Sequence, residues 1–221
     1  MVKAVIFDLD GTLCDTVEDL ADAVNYALFK VGCPNHTTEN IKTFIGNGNK
    51  NLIIKSLPEG KSDINTVSLA SDFFFEYYRA HFADKTKAFF GIDEILCTLK
   101  QNGVKLAVCT NKEEGMAKAV VKSLFGDLFD IVIGNSDRFP LKPAPDSSIH
   151  IMESLGVKRE EILFIGDSDV DIITAKNAGV MSVGVTWGFR SKEELVENGC
   201  NSVAEQPYDI IRIIGKVEEK Q

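Results

Sequence analysis

The 221-residue chain predicts an α/β fold: a doubly wound, Rossmann-like parallel sheet with an inserted all-helical cap. Three observations carry that prediction. Short runs rich in Val, Ile, Phe and Ala alternate with amphipathic stretches, as strands buried on both faces alternate with crossover helices. Gly103, Gly156 and Gly179 each follow a helical stretch, where a left-handed residue ends a helix. A segment of about 70 residues near the start carries helical patterns and no strand, too long for an ordinary crossover.

Taken in order, Ala4–Phe7 is the first strand, and it runs into Asp8-Leu9-Asp10-Gly11-Thr12. Side chains two apart on extended backbone share a face, so Asp8 and Asp10 reach into one site. Helical patterns follow at 16–31, 38–44, 48–57 and 64–82. Thr16 and Asp19 stand at capping-box spacing, and Gly32 closes the first of these helices. Phe73-Phe74-Phe75, Tyr77 and Tyr78 read as the core of the insert. Strands at Lys105–Cys109, Ile131–Ile133, Ile162–Ile165 and Ser182–Val185 then alternate with helices at 92–102, 113–125, 146–155, 169–178 and 191–197. Residues 1–14 and 84–221 are thus expected to form the core and 15–83 the cap, with hinges near Leu13–Thr16 and Phe82–Lys87. The closing residues, Val217–Gln221, read as frayed.

Composition narrows the function. Lys and Arg number 24 against 33 Asp and Glu, a formal charge of −9. That balance argues against a nucleic-acid groove or an anionic membrane as a general partner. An anionic substrate would need local positive potential, from a metal ion, a few lysines or helix N-termini. Cys14, Cys33, Cys97, Cys109 and Cys200 are scattered and form no C-x-x-C, which suits small core thiols in a reducing compartment. The chain opens on a strand rather than a basic-apolar leader, and no apolar run approaches the ~18 residues of a spanning helix. A soluble, cytoplasmic protein is the expectation.

Ligand-binding residues of open α/β sheets gather at the carboxyl ends of the strands. Beyond Asp8 and Asp10, those ends carry Thr110-Asn111-Lys112, Lys142-Pro143-Ala144-Pro145 and Gly166-Asp167-Ser168-Asp169-Val170-Asp171. A capped helix start or a solvated turn explains any one cluster. Four at successive strand ends point to one site.

In combination these motifs resemble the haloacid dehalogenase superfamily of phosphatases over nearly the whole chain. D-x-D-G-T is Asp8 to Thr12, the hydroxyl ending the second core strand is Thr110, the lysine before Pro-x-Pro is Lys142, and G-D-x-x-x-D is Gly166 to Asp171. The helical insert, the Thr110-Asn111-Lys112 triplet and Gly46-Asn47-Gly48 look most like phosphoglycolate phosphatases. The resemblance implies Asp8 as a nucleophile that becomes a transient aspartyl phosphate, and Asp10 as the acid and base. It further implies Mg²⁺ held by Asp8, Asp167 and the Asp10 backbone carbonyl, with Asp171 behind them holding Lys142 or another ligand. Thr110, Lys142 and the amides near Leu9, Gly11 and Asn111 would bind the phosphoryl group. The partner is then a small phosphorylated metabolite, with substrate choice in the cap at Gly46, Asn47 and Lys50. A glycine-rich turn with Lys50 in solvent is the plainer reading of that loop.

Other readings stay open or fail on spacing. β-Phosphoglucomutase, pyrophosphatase or nucleotidase activity fits the same core motifs, and a non-catalytic phosphoaspartate signalling module is an alternative of another class. Asp167-x-Asp169-x-Asp171 is not a calcium loop, because Ile172 stands where glycine is required and Ala178 where glutamate is. His36, His81 and His150 are isolated and read as packing or surface residues. Lys112 either steers an anion or sits solvated at a helix start. Trp187 and Arg190 either wall the site or serve packing. Monomer and homodimer are equally compatible with the sequence.

Overall fold

The structure, a computed structural model, describes residues 1–218. Its main sheet is parallel throughout, built from β1 (Ala4–Phe7), β4 (Lys105–Glu113), β5 (Ile131–Asn135), β6 (Ile162–Gly166), β7 (Met181–Val185) and β8 (Ser202–Ala204). The order across the sheet is β5-β4-β1-β6-β7-β8. From β1 the chain works outward through β4 to β5, then returns to the other side of β1 for β6. This reversal opens a crevice at the carboxyl end of β1. A separate antiparallel pair, β2 (Cys14–Asp15) and β3 (Lys87–Ala88), ties together the two crossings that flank the insert.

Alternation along the strands sorts the core into two layers. Val5, Phe7, Leu106, Val108, Leu163 and Ile165 face one way, under α5 (Ile92–Gln101), α6 (Glu114–Phe125) and α10 (Tyr208–Glu218). Ala4, Ile6, Ala107, Cys109, Ile162 and Phe164 face the other, against α7 (Asp146–Leu155) and α8 (Asp169–Ala178). Strands covered on both faces have no polar side to show, which is why they read as continuous apolar runs. The short α9 (Lys192–Glu197) covers β7 with Leu195, which crowds Gly184.

The insert holds α1 (Val17–Lys30), α2 (Thr38–Phe44), α3 (Asn49–Ser56) and α4 (Ile64–His81) around a second cluster, which also takes in Met116 of α6 and has Phe189 packed against it. Phe74 and Tyr78 are fully buried in it, with Phe73, Phe75 and Tyr77 packed at its edge, as the aromatic run leads one to expect.

Several elements differ from the sequence reading. β4 does not stop at Cys109 but continues to Glu113, through a register shift against β5 between those two residues. Thr110, Asn111 and Lys112 therefore lie within an irregular strand rather than beyond it. Thr16 makes no side-chain cap on α1; its hydroxyl donates to Asp10 Oδ1 at 2.7 Å instead. Asp19 accepts from Lys85 and Thr86 rather than completing a capping box. Unanticipated are β2, β3, β8, α10 and a 3-10 turn at Arg159–Glu161. Val217 and its neighbour at 218 belong to α10, while 219–221 of the expected fray lie outside the described residues. Cys14, Cys33 and Cys109 are buried as expected, but Cys97 is exposed and Cys200 half-buried; all five are free thiols. Among the described residues no helix is long and apolar enough to cross a membrane.

Candidate active site

Asp8 continues the β1 ladder, its N–H donating to the Ile165 carbonyl at 2.9 Å, so its carboxylate emerges at the centre of the sheet edge. Asp167 and Asp171 arrive from the end of β6 and the first turn of α8. Carboxylate oxygens of Asp8, Asp167 and Asp171 all lie within 4.8 Å of one another, and all three residues are buried. The Asp10 carboxylate stands outside this cluster, engaged by Thr16 and Lys112.

One cation faces the three acids. Lys142 Nζ lies 2.6 Å from Asp171 Oδ1 and 2.9 Å from Asp8 Oδ1. Toward Asp171 it is a hydrogen bond; toward Asp8 it is an ion pair without hydrogen-bond alignment, so Asp8 Oδ1 is buried with no donor. Asp171 Oδ2 is closed off by the Ser168 hydroxyl at 2.6 Å and amide at 3.1 Å. Asp167 accepts from the Thr12 hydroxyl at 2.9 Å and the Phe189 amide at 2.8 Å.

Burial raises the Asp8 pKa against the pull of Lys142, and burial together with the Asp171 and Asp8 charges raises that of Asp167. Burial works to lower the Lys142 pKa, but Asp171 and Asp8 outweigh it and keep the ammonium charged. Three buried carboxylates against one lysine leave a deficit of positive charge. The hard oxygen donors of this cluster fit a divalent cation.

The backbone is cut to this cluster. A Cβ at Gly11 or at Gly188 would collide with the Asp167 side chain, and one at Gly166 with that of Asp171. Only glycine lets these segments approach so closely, and Gly11 also sits at φ +89°. The Gly11 amide already donates to the Cys14 carbonyl at 2.9 Å.

Beside the acids lies a cavity of about 30 Å³, room for a few waters at most. Asp8, Asp10, Thr110, Asn111 and Lys112 form its core side. Leu20, Ile45, Gly46, Gly48, Asn49 and Leu52 of the insert form the other. Of the insert residues singled out from sequence, only Gly46 lines this space. Asn47 does not, and Lys50 is exposed and borders a different cleft, which it shares with Asn49. Asn49, on the first turn of α3, faces the cavity instead.

Sequence reasoning left three residues undecided that the structure ties to the site. Lys112 is buried, not solvated, with Nζ 2.9 Å from Asp10 Oδ1 and 4.8 Å from the centre of the Tyr78 ring. Trp187 donates through Nε1 to the Thr12 carbonyl at 3.0 Å, and Arg190 donates to the Ile45 carbonyl at 2.9 Å. Asn111 is a bridge: its amide donates to the Gly46 and Lys142 carbonyls, both at 3.0 Å, and accepts from the Lys142 amide at 2.8 Å. The Lys142–Pro143 peptide bond is cis.

Residues 5–185 match the family of haloacid dehalogenase-like hydrolases. The chain is 37% identical to a phosphoglycolate phosphatase of Neisseria meningitidis, across 85% of this chain and 82% of that one. It is 34% identical to the phosphoglycolate phosphatase of Mannheimia succiniciproducens, across 96% and 98%. A solved structure from Lactobacillus delbrueckii subsp. bulgaricus superimposes with a TM-score of 0.89 at 34% identity, covering 94% of this chain and 96% of its own.

Proposed function

The chain belongs to the haloacid dehalogenase-like hydrolases, and from that membership we propose that it hydrolyses 2-phosphoglycolate to glycolate and phosphate through an aspartyl-phosphate intermediate on Asp8. The observation that carries this reading is the Asp8 carboxylate, buried at the centre of the sheet edge with Lys142 Nζ 2.9 Å away, on the wall of the cavity shared by core and insert.

In the first step Asp8 attacks phosphorus and the bond to the ester oxygen breaks, Asp10 giving its proton to the departing alcohol. In the second, Asp10 takes a proton from water, whose oxygen attacks phosphorus and releases phosphate with the Asp8 carboxylate restored. Thr110 and Lys142 hold the phosphoryl oxygens. Asp171, bonded to Lys142, keeps the ammonium in place. Asp8, Asp167 and the Asp10 carbonyl would hold Mg²⁺, which supplies positive charge between the nucleophile and the phosphoryl oxygens. In this reading residues 15–83 are the cap and the remainder the catalytic core. The cap keeps bulk water from the phosphoenzyme.

The support for 2-phosphoglycolate is the name borne by the relatives. The test is a comparison of kcat/KM across phosphorylated metabolites in Mg²⁺, with Asp8→Asn alongside. Wild type should prefer 2-phosphoglycolate, and Asp8→Asn should lose at least about a thousand-fold in kcat while keeping its fold. Substantial turnover by Asp8→Asn would refute the nucleophile; preference for a larger ester would refute the substrate.

A further inference from the structure

We propose that Lys112 is the residue that recognises the substrate's own carboxylate, so that the enzyme selects phosphate esters whose leaving group carries an anion next to the ester carbon. This rests on the reading of the site as a 2-phosphoglycolate phosphatase and names the part of it that reads the leaving group.

The cations near the cavity are few, and the others are committed elsewhere. Lys142 lies between Asp8 and Asp171, on the side of the acid cluster. Arg190 is held on the Ile45 carbonyl, and Lys50 is exposed at the neighbouring cleft. Lys112 borders the cavity itself, with its side chain 1% exposed. Around it the insert contributes the apolar Leu20, Ile45 and Leu52, the glycines Gly46 and Gly48 and one side-chain amide, Asn49, and no charged group. A carboxylate entering this space would be desolvated, and Lys112 is the partner that could compensate it.

An ammonium has three donors. One is used on Asp10, and the Tyr78 ring lies against the ammonium. A substrate carboxylate can therefore share the ammonium with Asp10. Tyr78 belongs to α4 of the insert, whereas Lys112 belongs to β4 of the core. Seating α4 over the core places an aromatic face against the lysine, which favours its charge and restricts its head group. Closure would then complete the carboxylate site as well as exclude water.

The measurement is kcat/KM for 2-phosphoglycolate and for ethyl phosphate, an ester of similar size without the carboxylate, in wild type, Lys112→Met, Lys112→Gln and Lys112→Arg. Lys112→Met and Lys112→Gln should slow both esters, because Asp10 loses its partner. The ratio of the two should also fall, by roughly 100-fold or more, since a buried charged contact to substrate is lost for one ester alone. Lys112→Arg should recover part of the ratio. If Lys112→Met does not fold, as judged by circular dichroism, the Lys112→Gln ratio decides. A ratio unchanged in the neutral variants while wild type discriminates would overturn the role of Lys112 and leave the proposed function standing. No discrimination by wild type would overturn the substrate assignment, and this inference with it.

Discussion

Two buried lysines divide the negative charge of the site between them, Lys142 facing Asp8 and Asp171 and Lys112 facing Asp10. Lys142→Met would leave three buried acids without their cation, which should cost about 3–5 kcal/mol in urea unfolding at pH 7 with EDTA present. The loss should shrink at pH 5, where the acids can take up protons instead; an equal loss at both values would mean that packing, not charge, is what Lys142 supplies. The acids also set the pH response of the wild type. Burial lifts Asp8 to about 6 and Asp167 to about 8, from an ordinary value near 3.8. The fold therefore holds these protons more tightly than the unfolded chain does. Their contribution to stability is complete below about pH 4 and is lost as pH rises through the folded values. Metal-free protein should melt progressively lower between pH 5 and 8. On the proposed function, Mg²⁺ at about 100 times its dissociation constant should add about 2.7 kcal/mol. Because the metal binds deprotonated carboxylates, the Mg²⁺-induced rise in Tm should be greater at pH 8 than at pH 5. Thermal scans with EDTA or Mg²⁺ would show it, and a rise larger at pH 5 would refute the account.

At the scale of elements, the two crossings between core and insert are fastened by Asp19 on α1. Its buried carboxylate accepts from the Lys85 amide at 3.1 Å, the Thr86 amide at 2.8 Å and the Thr86 hydroxyl at 2.7 Å. Asp19→Ala would strip these donors of their acceptor and should cost about 3 kcal/mol in chemical denaturation. It should also raise KM, because the β3 crossing would no longer be set against α1; a variant as stable as wild type would show that water replaces the acid. Asp19 also illustrates what sequence could and could not reveal. Its place after Thr16 reads as a capping box, yet both side chains bond to residues at the crossings and the site, contacts that no local pattern encodes. The main strands and helices were legible because burial on two faces and amphipathic spacing leave their mark on composition. Asp8, Asp10, Thr110, Lys142, Asp167 and Asp171 were legible because they end or follow such strands. The two-residue β2 and β3 are too short for any period. The bulge in β4 is a pairing event with β5, so the inward turn of Lys112 and Asn111 could not be read from their own neighbours. The helix α10 did carry a signal: Ile210 and Ile214, one turn apart, are both buried in the core.

Across the whole molecule, insert and core meet at the chemistry rather than beside it. On the proposed function an ester must enter a cavity walled by both insert and core, so turnover should involve movement of the insert away from the core. Besides the packing of Met116 and Phe189 into the insert's cluster, two side chains of the core reach backbone carbonyls of the Ile45–Gly48 loop, Asn111 at Gly46 and Arg190 at Ile45. They differ in what else they do. Asn111 also fixes the backbone of Lys142, so its loss would disturb the site directly. Arg190 lies just beyond Phe189 and Trp187, which bond to Asp167 and Thr12, so one short segment after β7 touches the acid cluster and the insert together. Arg190→Ala removes the contact to the insert and leaves those two anchors, the Trp187 indole and the Phe189 amide, intact. One hydrogen bond from a charged donor is worth about 1.5–3 kcal/mol, so opening should become roughly 10-fold or more frequent. Amide hydrogen exchange should then accelerate by about that factor at Ile45–Asn49 and at both crossings, near Leu13–Thr16 and Phe82–Lys87. Exchange in β1, β4 and β6 should stay as in wild type, since the sheet does not take part in opening. Acceleration spread evenly through the sheet would instead mark Arg190 as a contributor to global stability, and no acceleration at the loop would mean that the Arg190 bond does not limit opening.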